Sequence, residues 1–120
     1  MVEPGDLAIC RLSPDEEIPL WGLSSPFFSV TRTTEELSLV CDAASVPEHV
    51  TAQGPWQSIK VLGPLDFSLT GILSQLARSL AEAKISIFAI STYDTDYVLV
   101  KKEDMPGAVK VLAEDHEFVE

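Results

Sequence analysis

The chain has 120 residues, 46% of them apolar, and 19 acidic residues against 8 basic ones give a formal net charge of −11. That length holds one compact domain or two very small ones sharing a core. The charge argues against nucleic-acid binding, which needs clustered Lys and Arg to displace counterions, and against anionic membranes, and its plain consequence is solubility.

No apolar run reaches the roughly 18–20 residues of a membrane span. The opening MVEPGDLAICRL has no basic stretch followed by a long apolar one, so no signal peptide is read and a cytoplasmic location is expected.

In chain order, LAICRL (7–12) reads as a strand. EEIPLWGLSSP follows, with Pro19 and Pro26, so any helix there is cut to about one turn. FFSVTRTTEELSLVCD (27–42) is strand, polar turn and returning strand. Cys10 and Cys41 each lie in an apolar strand-like run without a CxxC, which predicts reduced, partly buried thiols. His49 and His116 have no metal-ligand spacing and read as surface residues. Trp21 and Trp56 read as core.

From Trp56 to Leu62 a further strand is expected. From Thr70 to Ala83 the apolar positions Ile72, Leu73, Leu76, Ala77, Leu80 and Ala81 make one stripe of a helix. Ile85–Ser91 should be a strand, TYDTD a turn, and Tyr97–Lys101 the returning strand. Asp104 to Glu114 suits a helix that Asp104 can cap, with Pro106 early in it. Phe118 and Val119 suit a last short strand.

The chain repeats itself loosely. At an offset of 60, Phe28 falls on Phe88, Val30 on Ile90, Leu39 on Leu99 and Val40 on Val100. The second copy reads β-α-β-β-α-(β), a ferredoxin-like plan. The expected fold is therefore α+β: two βαββαβ units interlocked in one compact body, antiparallel sheets with helices on one face, and a degenerate first unit. Residues 1–55 form that first unit and 56–120 the complete one, with strand 56–62 able to serve both.

Between strand 56–62 and the helix stands GPLDFSLTGI (63–72). Its residues allow two readings. Ser68 or Asp66 can simply cap the helix, Pro64 stiffen a turn, and Gly71 permit close packing. Alternatively, the free N–H groups and dipole of the helix start can seat a carboxylate, with Gly71 letting a ligand approach the backbone.

The ferredoxin-like plan does not imply a function. Neither IKVLGPL nor YVLVKKE has the basic aromatic pattern of an RNA-recognition strand. No arginine stands in the 63–75 loop region to cradle a phosphate, and no CxxC could carry a metal. The stretch IKVLGPLDFSLTGILSQLARSLAEAKISIFAISTYDTDYVLV does resemble the ACT domain, more closely the tandem CASTOR-type family related to the regulatory domains of aspartate kinase. LAICRL, PLWGL and FFSVTRTTEELSLVCD resemble the degenerate first unit of such tandem proteins.

This resemblance implies a non-catalytic regulatory module without a cofactor. It would bind a small molecule, usually an amino acid, between ACT units. It also implies a homodimer or a regulated protein partner. The binding loop carried over is Asp66, Phe67, Ser68, Leu69, Thr70, Gly71 and Ile72. The strand and hairpin side is Ile90, Ser91, Thr92, Asp94 and Asp96. Asp96, ahead of Asp94, matches the acidic residue that holds the cationic end of basic amino acids. The alternative is a ligand-free interaction or oligomerisation module on the same scaffold.

Overall fold

The computed structural model describes residues 2–61 and 72–115. The loop 62–71, His116 and the expected strand at 118–119 lie outside the described residues. Contacts divide the chain into two compact units, one of Gly5–Trp56 and one of Met1–Pro4 with Gln57–Glu120.

In the first unit, β1 (Leu7–Leu12), β2 (Ser29–Arg32), β3 (Leu37–Asp42) and the start of β4 (Thr51–Lys60) are ordered β2-β3-β1-β4. β1 pairs antiparallel with β3 on one side and β4 on the other, and β2 pairs antiparallel with β3. Ala8 stands opposite Cys41, and Cys10 opposite Leu39. Side chains alternate across a strand, so these four share one face and form the buried centre of the unit, with Trp21, Val30, Val46 and Val50 packed on it. Both cysteines are free, and they are wholly buried rather than partly so. Burial, with the neighbouring Cys41, pushes the Cys10 thiol up to about 12. Cys41 is also raised, chiefly by burial.

Only two single 3-10 turns, Leu20–Gly22 and Ala43–Ser45, cover this unit where helices would stand. The prolines at 19 and 26 account for the first. β4 begins at Thr51, five residues before the strand expected from the sequence. Gly54-Pro55 looks like a strand breaker, but it is absorbed as a bulge. Leu7 faces Trp56 while Ile9 faces Gln53, which leaves one extra residue on β4. Gly54 fits because a Cβ there would lie 2.9 Å from the Leu7 carbonyl oxygen.

In the second unit, the rest of β4 is followed by α1 (Ile72–Glu82), β5 (Ile87–Ser91), β6 (Asp96–Lys101) and α2 (Met105–Asp115), with strand order β4-β6-β5. β5 and β6 are antiparallel. Val2 makes an antiparallel bridge to Ile59, and the Glu3 amide donates to the Ser58 carbonyl at 2.9 Å. The apolar stripe of α1 and the i, i+3, i+7 set Met105, Ala108 and Leu112 of α2 meet Val98, Val100 and Ile59 in one core. Leu80 and Leu112 are fully buried, each worth about 1.5–3 kcal/mol.

α1 stops in a Schellman motif. Lys84 adopts φ 62, its amide donates to Ala81 O, and the Ile85 amide donates to Leu80 O, both at 2.9 Å. Leu80 and Ile85 also share the core. Asp104 lies in a 3-10 turn, Lys102–Asp104, which leads into α2.

The registers of the two hairpins correspond at an offset of 59 rather than 60. Arg32 pairs with Leu37 to close the first hairpin, and Ser91 pairs with Asp96 to close the second. The 3-10 turns 43–45 and 102–104 then coincide. A slip of one residue exchanges the faces of a strand. At the corrected offset the buried runs Leu39-Val40-Cys41 and Val98-Leu99-Val100 coincide.

Candidate functional site

The β5–β6 hairpin is tightened by its own hydroxyls. The Thr92 amide donates to Thr95 O at 2.8 Å, and Thr92 Oγ1 accepts from the Thr95 amide at 3.2 Å. Thr33 does the same work in the first hairpin, accepting from Glu35 and Glu36 amides at 3.1 and 3.2 Å. These are local side-chain turns of the kind Thr favours. Thr92 is thus occupied with the turn.

Of the residues proposed from sequence, the structure brings Ser91 and Asp96 together. They are cross-strand partners, and Ser91 Oγ donates to Asp96 Oδ1 at 2.5 Å. Ile90 pairs with Tyr97 one step along, so it belongs to the opposite face of the hairpin. Asp94 is exposed in the turn. Residues 66–71 lie outside the described residues, and of Ile72 only its place at the start of α1 is described.

The sequence did not show the tie between the hairpin and Val61. The Val61 amide donates to Asp96 O at 2.9 Å, and Thr95 Oγ1 donates to Val61 O. Val61 is the last described residue before the loop 62–71. The Ser91–Asp96 pair therefore sits at the strand end from which GPLDFSLTG departs. The hydroxyls of TYDT were the available signal, but their partner is 34 residues away in sequence. Asp96 is half-buried. Its carboxylate carries a second oxygen that can accept a further hydrogen bond at this end of the hairpin. Among the described residues, no three His, Cys, Asp or Glu side chains converge as metal ligands would.

The first unit has an open cleft of about 560 Å³, lined by residues that include Ala8, Ala43, Val46, Glu48, Val50 and Ala52. At the offset of 59, the positions of α2 correspond to 46–56, which are loop and then β4. In this unit those positions are loop and strand, and the elements described over Gly5–Trp56 include no α-helix.

Residues 51–114 match the family model of the ACT domain. The chain belongs to the ACT-domain family. A second model, for an N-terminal domain, matches residues 5–49. The human protein CASTOR3P is 32% identical over 89% of this chain and 76% of its own length, which places the chain with the CASTOR-type ACT proteins. The bovine (Bos taurus) protein named cytosolic arginine sensor for mTORC1 subunit 1 is 29% identical over 77% of this chain, and the match spans about a third (31%) of that protein.

Among solved structures, an Agobacterium tumefaciens protein superposes with a TM-score of 0.91 at 37% identity, covering 98% of this chain and 89% of that one. The aspartate kinase of Clostridium acetobutylicum superposes at 0.72 and 13% identity, over 95% of this chain and 34% of the kinase. That likeness speaks to the fold alone.

Proposed function

We propose that this ACT protein is a non-catalytic sensor of a free amino acid, with its site at the junction of the 62–71 loop and the β5–β6 hairpin. The observation that carries the reading is the Ser91–Asp96 pair, held beside Val61 where the loop leaves β4. In this reading the ligand's carboxylate takes the N–H groups that a helix start leaves without intrahelical partners, and Gly71, having no Cβ, lets it come close to the backbone. Asp96 takes the cationic end, and Ser91 orients that carboxylate. A basic amino acid suits this polarity, and the relatives named as arginine sensors support it. Ser68, Thr70 and Asp66 supply further polar groups in the loop. No bond is made or broken. Binding is passed on through self-association or to a regulated protein partner, and the setting is cytosolic, as those relatives' names state.

The test is a thermal shift of the purified chain against the twenty amino acids. A ligand at about a hundred times its Kd adds roughly 2.7 kcal/mol to the folded state, which is several degrees for a chain of this size. A shift with arginine or lysine that disappears in Asp96→Ala is the expected result. No shift with any amino acid, in a folded sample, refutes sensing and leaves the ligand-free interaction module.

A further inference from the structure

Residues 16–25 cross the first unit as a strap fastened at both ends. At one end Arg32, the last residue of β2, donates from its guanidinium to the carbonyls of Pro14 and Glu16, the latter at 2.8 Å. At the other end the Asp42 amide, at the end of β3, donates to Ser25 Oγ at 2.9 Å. Between them the strap is seated tightly on β3, since a Cβ on Gly22 would lie 3.0 Å from Leu39 Cδ1. Trp21 packs inward on the core.

A strap held this firmly still leaves its other large apolar side chains in water. Leu20 is 84% exposed, Ile18 42% and Leu23 37%, and Phe28, just before β2, is 44% exposed. Among the described residues β2 is also the edge strand of its unit, and it is only four residues long. Exposed apolar side chains next to an unpaired edge are the usual ingredients of a protein-docking surface.

The charge around this surface selects the occupant. Asp15, Glu16 and Glu17 lead into the strap, and Arg32 sets that run beside the Thr33–Glu36 turn with its Glu35 and Glu36. Among the described residues none of these five carboxylates forms an ion pair. Arg32, the one cation in the stretch 13–36, is spent on backbone carbonyls. A two-fold pairing of this face with itself would set five carboxylates against five, which like-charge repulsion opposes. Anionic lipid is repelled for the same reason.

We propose that this face of the first unit docks a basic, extended protein segment with apolar anchors. The segment adds to the free edge of β2, rests its anchors on Leu20 and Phe28, and sets Lys or Arg against the Asp15–Glu17 and Glu35–Glu36 carboxylates.

The test uses the full chain and a fluorescein-labelled ten-residue peptide of alternating Lys and Leu, followed by anisotropy at low and moderate salt, with a Glu–Leu peptide beside it. Leu20→Ser and the triple neutralisation Asp15→Asn, Glu16→Gln, Glu17→Gln are compared with a control triple elsewhere, Glu82→Gln, Glu103→Gln, Glu114→Gln. Circular dichroism checks that each variant is folded. The expected result is saturable, salt-weakened binding of the Lys–Leu peptide that falls tenfold or more in both patch variants and stays within twofold in the control. Equal loss in the control, equal binding of the Glu–Leu peptide, or full affinity in Leu20→Ser overturns the proposal. So does a concentration-dependent dimer that Leu20→Ser dissociates, or binding to zwitterionic vesicles that Leu20→Ser abolishes.

Discussion

Asp96 is the carboxylate that the proposed function places against the ligand's cationic end. It is half-buried at the start of β6, its carboxylate is met by Ser91, and its backbone carbonyl holds Val61. Asp96→Ala removes only the carboxylate, so stability should change by less than about 1 kcal/mol, the usual net worth of one partly exposed hydrogen bond. If the proposed function holds, calorimetric affinity for the amino acid that shifts the melting should fall about tenfold or more, the scale of a hydrogen bond to a charged group. An unchanged affinity would remove Asp96 from the site. The cysteines give a second prediction at this scale. Cys10 is raised from 9.0 to about 12, first by burial and then by Cys41, so the folded state holds its proton more tightly than the unfolded one. The stability this contributes is complete below pH 9 and is lost as pH rises toward about 12. The denaturation midpoint should therefore fall over that interval, less steeply in Cys10→Ala. At pH 8 both thiols should resist a disulfide reagent until the protein is unfolded.

Among the elements, α1 ends with a lysine in a conformation that suits glycine. Lys84 at φ 62 closes the Schellman motif, and a left-handed residue with a Cβ costs roughly 1–2 kcal/mol. Lys84→Gly should accordingly raise stability by about 1 kcal/mol in urea unfolding. The reverse holds for the β4 bulge. Gly54→Ala places a Cβ 2.9 Å from the backbone oxygen of Leu7, which cannot swing aside like a side chain. A loss of about 1–3 kcal/mol is expected, read as a lower Tm. Periodicity revealed α1 and α2 because their apolar stripes meet one core. It did not reveal the first half of β4, because Thr51 to Pro55 are exposed and carry a Gly-Pro pair that a strand takes up only through a bulge. The Ser91–Asp96 pair was legible as residue types in a turn. Its tie to Val61 was not, because strand neighbours need not be sequence neighbours.

For the molecule as a whole, the charge of −11 and sequence pI of about 4.4 predict a solubility minimum near pH 4.4, where self-repulsion vanishes. Light scattering across pH 3.5–7.5 checks this, and high solubility throughout would contradict it. The sequence by itself determined the two hairpins, the two helices of the second unit and the shortening of the stretch between Pro19 and Pro26 to about one turn. Alternation, apolar stripes and paired prolines are local signals, and each acts within a few residues. The tertiary structure decided what depends on distant partners. It set the true repeat offset, because cross-strand pairing fixes which side chains share a face. It used residues 46–56 as loop and strand where the second unit has α2, because β1 offers that segment an edge to pair with. It also placed Asp96 beside Val61, at the strand end that leads into residues 62–71, because β4 and β6 lie side by side in the sheet although residues 61–95 separate them along the chain.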